Sequence, residues 1–301
     1  MKTLITLTFT LLATVLSAQY QKINQTVNVL PYWNKGDVYE YIQNEKEYKV
    51  VKSDTLINKN KSFDLSIKVL DRDEDSFTLQ WEMKPDFSQF PAQLQTELNR
   101  ELGTQKFIYK TNENGVFDEL INFEEIVEYN KKLVEILGQS IQNENEKEAF
   151  RQALDKVFGN DDVTAQLIIS KINTFHLFFG NAIKKGEALK TKFESINPVT
   201  RNKIIYNRSF ELEEYNTDDQ VYTLYSEILP EENNLIGEIK STLETIISKE
   251  VKEMEQIKNF DFISKVFQAT HDSGVILYQI KRDFIEVDEE EIIKELEFIL
   301  K

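Results

Sequence analysis

The chain contains no cysteine and only two histidines, and these shortages exclude several kinds of chemistry. Without cysteine there is no disulfide framework and no thiol nucleophile, so stability depends on a packed core. Hydroxyl groups are the remaining uncharged nucleophiles, and only His176 and His271 are imidazoles that could activate them. These two residues are too far apart to give a zinc-binding spacing. Since a glycine-rich phosphate loop is also missing, the sequence predicts no cofactor.

Basic residues are scarce relative to acidic ones. The chain has 36 Lys and Arg against 52 Asp and Glu, which gives a net charge of -16. Nucleic acids and anionic membrane surfaces are bound by clustered Lys and Arg that neutralise phosphates. The composition therefore excludes nucleic acid as a partner.

Long apolar runs are also scarce, and the one at the start of the chain is short. Residues 1–18 combine Lys2, an apolar stretch and the small-residue sequence Leu16-Ser17-Ala18, which is typical of a secretory signal. A bilayer-spanning helix needs about 20 apolar residues. We expect cleavage near Ala18, a secreted or periplasmic location and no transmembrane segment in the mature chain.

Two stretches of the first half alternate apolar and polar residues with period two. They are residues 62–70, with Phe63 and Leu65 on one face, and residues 76–84, with Phe77, Leu79 and Trp81 on one face. Such a pattern predicts antiparallel strands that bury one face. We expect Thr78 and Gln80 to face water.

A repeated phrase indicates an internal duplication. Thr270 to Val275 matches Thr111 to Val116, and each phrase contains a glycine, Gly274 or Gly115, that we expect to adopt positive φ in a hairpin turn. Residues 221–230 similarly match residues 76–85. We predict a first β-rich half at 19–123, a helical insert at 124–180 and a second β-rich half at 181–301. Acidic residues at 289–291 predict a further helix by analogy with Glu124 and Glu125.

The predicted fold class is α+β, with two similar halves, each an antiparallel sheet packed on helices, joined by the helical insert. This element order resembles the half-barrel of bacterial lipoprotein carriers. The opening at 35–41, Lys-Gly-Asp-Val-Tyr-Glu-Tyr, and the restart at Lys185-Gly186-Glu187 are similar to a family of secreted proteins of unknown function from Bacteroidota. That family implies no activity.

Aromatic residues are abundant, with 20 Phe and 12 Tyr. A gap between sheet and helices lined by aromatic residues favours an apolar ligand. The sequence therefore predicts a non-enzymatic binding protein, with an apolar or lipid-like small molecule as its partner. The tentative ligand-binding residues are Trp81, Tyr222, Phe175, Phe178 and Phe179, of which the three Phe residues would lie near the rim. The alternatives are an envelope protein-interaction or structural module and, with less support, a carboxylate-based hydrolase.

One acidic pattern is similar to a calcium-binding loop. Asp71, Asp73, Asp75 and Glu82 have the spacing of positions 1, 3, 5 and 12 of that loop. Position 6 is Ser76 instead of the required glycine, and strands are predicted on both sides. The plain alternative is a charged hairpin turn.

Overall fold

The computed structural model describes residues 20–21, 25–51, 54–141, 143–158, 161–197, 202–231, 237–238, 260–287 and 290–301. The predicted signal peptide lies outside these residues. Within them, no helix has the length and apolar character needed to cross a bilayer.

The strands form two antiparallel sheets. The strands are β1 Tyr20–Gln21, β2 Thr26–Asn28, β3 Val38–Val51, β4 Asp54–Arg72, β5 Ser76–Met83, β6 Gln105–Asn112, β7 Phe117–Leu120, β8 Ala182–Lys184, β9 Leu189–Ile196, β10 Lys203–Asn216, β11 Val221–Pro230, β12 Phe260–His271, β13 Ile276–Val287 and β14 Glu290–Leu300. The helices in the described residues are α1 Ala92–Glu101, α2 Phe123–Gln139, α3 Glu144–Phe158 and α4 Asp161–Phe175.

The large sheet contains eleven strands in the order β7-β6-β5-β4-β3-β14-β13-β12-β11-β10-β9, and β1, β2 and β8 form a small separate sheet. Neighbours in the large sheet are consecutive in sequence except at its centre, where β14 pairs with β3. The strands of the first half and those of the second half therefore belong to one continuous sheet.

This continuity corrects the predicted fold class. The protein is mostly β and is not a balanced α+β structure of two sheets each packed on helices. The strands at 62–70 and 76–84 were correctly predicted, but a period-two pattern does not reveal which distant strand becomes the neighbour. Helices α3 and α4 lie within the predicted insert at 124–180, and α2 begins one residue before it, at Phe123. The duplication itself stays a prediction.

The helix predicted from the acids at 289–291 is also wrong, because Glu290–Leu300 is strand β14. In this segment Leu296, Phe298 and Leu300 alternate with Glu295, Glu297 and Ile299. Phe298 is fully buried and contacts the rings of Trp81 and Phe175. Burial of this alternate face outweighs the local preference of acids for a helix N-terminus.

Contacts of one short segment show that the sheet is curled. His176 Nε2 lies 2.9 Å from the Tyr109 hydroxyl on β6, and the Phe178 ring lies 5.5 Å from the Phe210 ring on β10. Eight strand spacings separate β6 from β10, which is roughly 38 Å in a flat sheet. Two residues of chain span only about 7 Å. The sheet therefore wraps around residues 175–180, and we call its concave face the trough.

The two glycine turns lie at the same end of the strands, which we call the upper end. Gly115 and Gly274 have φ of 82° and 78°, so the predicted positive φ is confirmed at both. Both turns make the same backbone hydrogen bonds, for example from the amide of Gly115 to Asn112 and from the amide of Gly274 to His271. Both also contact Pro31, so this proline joins the two hairpins.

The upper trough is filled by the main hydrophobic core. Phe77, Leu79 and Trp81 point into it, as predicted, while Thr78 and Gln80 lie on the other face of β5 and are partly exposed. Gln279 on β13 donates hydrogen bonds to the carbonyls of Thr174 and Phe175 at the end of α4. The carbonyl of Thr174 also accepts a hydrogen bond from the amide of Leu177. The two bonds from Gln279 fix the end of α4 to the sheet.

Candidate functional site

The five aromatic residues predicted to bind a ligand lie in the core of the upper trough. Trp81, Tyr222, Phe175, Phe178 and Phe179 are each at most 3% exposed. Trp81 packs edge-on against Phe175, with ring centroids 5.6 Å apart. The three Phe residues therefore lie inside the core and not near a rim.

The space around these rings is small. A cavity of about 10 Å³ lies at the centre of the upper trough, between Phe175 and the sheet. It is lined by Trp33, Tyr39, Tyr41, Ile67, Leu79, Phe175, Gly274 and Ile276. This volume corresponds to about one water molecule, so the described residues leave no space for a lipid-like ligand there.

The acidic residues of the calcium-like pattern have other partners. Asp71 forms an exposed ion pair with Lys35, and Asp73 accepts hydrogen bonds from the amide of Asp75 and the hydroxyl of Ser76. These bonds are typical of a charged turn. Among the described residues, no group of acids or histidines is arranged to hold a metal ion.

The two histidines occupy different environments. His176 is buried between Tyr109 and the carbonyl of Gly115, 2.9 Å and 2.8 Å from its two ring nitrogens. Burial lowers the pKa of His176 to about 4, so the ring is neutral at pH 7. Its Nδ1–H donates to Gly115, and its Nε2 accepts from Tyr109. His271 is partly exposed in the second glycine turn, where its Nδ1 lies 2.8 Å from the Ser273 hydroxyl.

A second apolar surface lies at the lower end of the trough, away from the core. Alternation along β9 to β13 places Phe193, Tyr206, Phe262 and Ile285 on the concave face, and all four are half-buried. Phe193 and Tyr206 stack with centroids 5.2 Å apart, and Phe262 meets Tyr206 edge-on at 6.5 Å. None of the four belongs to the main core cluster of the described residues. We call this surface the lower floor.

Four polar side chains lie between the lower floor and the core, with Ile228 of β11 among them. Arg208 on β10, Ser226 on β11, Ser264 on β12 and Asp283 on β13 all point into the trough, as their strand register requires. We call these four residues the polar belt. Asp283 is paired with Lys281 at 3.0 Å. Burial raises the pKa of Tyr206, and Coulomb repulsion from Asp283 adds to this effect.

A cleft of about 180 Å³ adjoins the polar belt between α4 and the strands β3, β13 and β14. Its lining includes Glu45, Lys171, Lys281, Asp283, Lys294 and Leu296. Glu45 accepts hydrogen bonds from Lys59 and Lys171, each at 2.6 Å. Burial alone would raise the pKa of Glu45, but the two ammonium groups outweigh that effect and lower it to about 2. The pair between Glu45 and Lys171 ties α4 to the sheet beside the cleft.

Sequence reasoning did not find the lower floor or the polar belt. One feature of the sequence could have indicated the polar belt. Arg208 lies between Tyr206 and Phe210 at alternate positions, so an arginine interrupts the apolar face of a strand. Ser226 and Ser264 give no such signal, because serine is common on strand surfaces and their burial depends on the curl of the sheet.

The sequence matches no protein-family model and has no significant match among the curated proteins.

Proposed function

We propose that this protein is an exported, non-enzymatic binding protein and that the lower floor receives an apolar or lipid-like small molecule. The lower floor carries this proposal, because it is a half-buried aromatic surface outside the core. Its Ile285 lies on the same strand face as Asp283, which is one of the residues that line the cleft of about 180 Å³. Ligand sites are mostly apolar and concave, with a few polar groups that fix orientation.

The signal peptide predicted at residues 1–18 is the basis for proposing export. We propose that it is cleaved near Ala18 and that the mature protein is secreted or periplasmic. We also propose that the sheet acts in the same way as the half-barrel of bacterial lipoprotein carriers, which its element order resembles. The curl of the sheet around residues 175–180 supports it, because a curled open sheet leaves one face for a ligand.

A fluorescent fatty-acid analogue titrated into the mature protein tests the proposal. We expect saturable binding with a Kd of about 1 μM, which corresponds to about -8 kcal/mol. Phe262→Glu places a charge on the lower floor and should weaken binding by about tenfold or more.

Phe267→Glu is the matched control. Phe267 is on the same strand and is 37% exposed on the opposite face, so its substitution should leave the Kd unchanged. Absence of saturable binding by the wild type, or an equal loss in both variants, would contradict the proposal. Absence of binding would favour an envelope protein-interaction role instead.

A further inference from the structure

Arg208 is an unusual residue for the inside of a curled sheet. Its guanidinium group lies 5.0 Å from the centre of the Phe193 ring and 4.6 Å from that of Phe210, between the lower floor and the core. Its Nε donates a hydrogen bond to the hydroxyl of Thr191 at 3.3 Å. Among the described residues, no carboxylate forms an ion pair with it. Burial lowers the pKa of Arg208, yet arginine stays protonated in proteins.

Two buried hydroxyl groups continue the polar belt next to Arg208. Ser226 is 0% exposed and Ser264 is 2% exposed, and neither hydroxyl oxygen has a hydrogen-bond partner among the described residues. In the strand register Arg208 stands opposite Ile228, which in turn stands opposite Ser264. Ser226 is therefore a diagonal neighbour of both Arg208 and Ser264 on the same face.

We propose that Arg208, Ser226 and Ser264 bind the anionic head group of an amphipathic ligand, a carboxylate or a phosphate monoester, whose apolar chain lies on the lower floor. This inference rests on the proposed function and specifies the class of its ligand.

The chemistry of the three groups fits an anion and not a cation. Arginine presents several N–H donors in a planar fork that matches carboxylate and phosphate oxygens. A buried hydroxyl without a partner is costly, and donation to an anion removes that cost. The nearest acid along the belt, Asp283, pairs with Lys281 through one oxygen, while its other oxygen is buried without a partner among the described residues. Asp283 stands opposite Ser264 at the far end of the belt from Arg208, so we place the anion on the Arg208 side. The Phe193, Tyr206 and Phe262 rings then supply the apolar surface beside the head group.

Three ligands with the same alkyl chain test this assignment: dodecanoic acid, dodecyl phosphate and dodecanol. Each displaces the fluorescent probe from the mature protein at about pH 8, where the carboxylate is ionised. We expect the wild type to bind at least one of the two anions about tenfold or more tightly than the alcohol. The anion that binds more tightly identifies the head group.

Arg208→Gln should abolish this preference and leave the affinity for dodecanol unchanged. Lys203→Gln is the control, because it removes the same charge from the same strand at an exposed position on the opposite face. If Arg208→Gln does not fold, as judged by circular dichroism, the Ser226→Ala and Ser264→Ala double variant should reduce the preference several-fold.

The outcomes separate the two proposals. If no ligand binds, the proposed function fails. If acid, phosphate and alcohol bind equally to the wild type, or if Arg208→Gln weakens all three to the same extent, the lower floor binds apolar chains and Arg208 has only a packing role. Either result would overturn the head-group assignment and leave the proposed function in place.

Discussion

At the scale of single residues, His176 connects three parts of the molecule. Its ring nitrogens bond to Tyr109 on β6 and to the carbonyl of Gly115 in the first glycine turn, while its backbone continues α4. Protonation would replace the acceptor at Nε2 by a donor in a site that excludes water. The folded structure therefore requires the neutral form of the His176 ring.

The first prediction concerns pH. The pKa of His176 is about 4 in the folded protein and 6.5 in its ordinary state, so the unfolded chain binds a proton more readily. Its contribution to stability is fully present above about pH 6.5 and falls as the pH decreases towards 4. The loss over this range is on the order of 3 kcal/mol.

Urea unfolding of the wild type and of His176→Gln between these pH values measures this contribution. The variant keeps a neutral polar side chain and cannot titrate, so its free energy of unfolding should vary less with pH. The carboxylates titrate in both proteins, and their contribution cancels in the comparison. Parallel curves for the two proteins would show that His176 is not the titrating group.

At the scale of elements, the second glycine turn packs directly against the segment before β3. A Cβ atom added at Gly274 would clash with the carbonyl oxygen of Leu30 and would lie 2.9 Å from the Cα of Pro31. Backbone atoms cannot rotate away as a flexible side chain can. The turn can therefore pack against residues 30–32 only if residue 274 is glycine.

The second prediction compares two glycines with nearly the same φ. Gly186→Ala should cost only the strain of a left-handed backbone, about 1 kcal/mol, because nothing lies within 4 Å of its added Cβ. Gly274→Ala adds the clash and should cost about 3 kcal/mol. Denaturant midpoints at a common slope measure both values. Equal losses would mean that the contact with Leu30 contributes nothing.

Sequence patterns predicted the local elements well where one face of a strand is apolar or a turn demands glycine. Residues 76–84 and the turns at Gly115 and Gly274 belong to this group. The pairing of β14 with β3 could not be predicted from the sequence, because it joins residues about 250 positions apart and leaves no local signal. The polar belt was missed for the same reason, since its residues come from four strands and meet only through the register and the curl.

At the scale of the whole molecule, the continuous sheet couples both halves. The pairing of β3 with β14 extends from Val51 and Glu290 to Tyr41 and Leu300, so neither half has a free boundary at the centre. The core adds to this coupling, because Phe298 of β14 packs on Trp81 of β5. The two predicted halves therefore form one structural unit.

The third prediction is a single cooperative unfolding transition. The only two tryptophans, Trp33 and Trp81, both lie in the first half. Their fluorescence and far-ultraviolet circular dichroism should give the same midpoint. A variant with Trp33→Phe, Trp81→Phe and Phe210→Trp reports on β10 in the second half and should unfold as one transition as well. Separated midpoints for the two fluorescence signals would indicate independent halves.

The pairing of β14 with β3 also determines when the sheet can be completed during synthesis. A ribosome makes β3 early, but the strand that covers its inner edge emerges only after the helical segment and five further strands of the large sheet. Until residue 300 has left the ribosome, β3 keeps a row of unpaired backbone groups. The nascent chain thus remains without its central strand pair until β14 has been made, so the first half cannot complete its part of the sheet on its own.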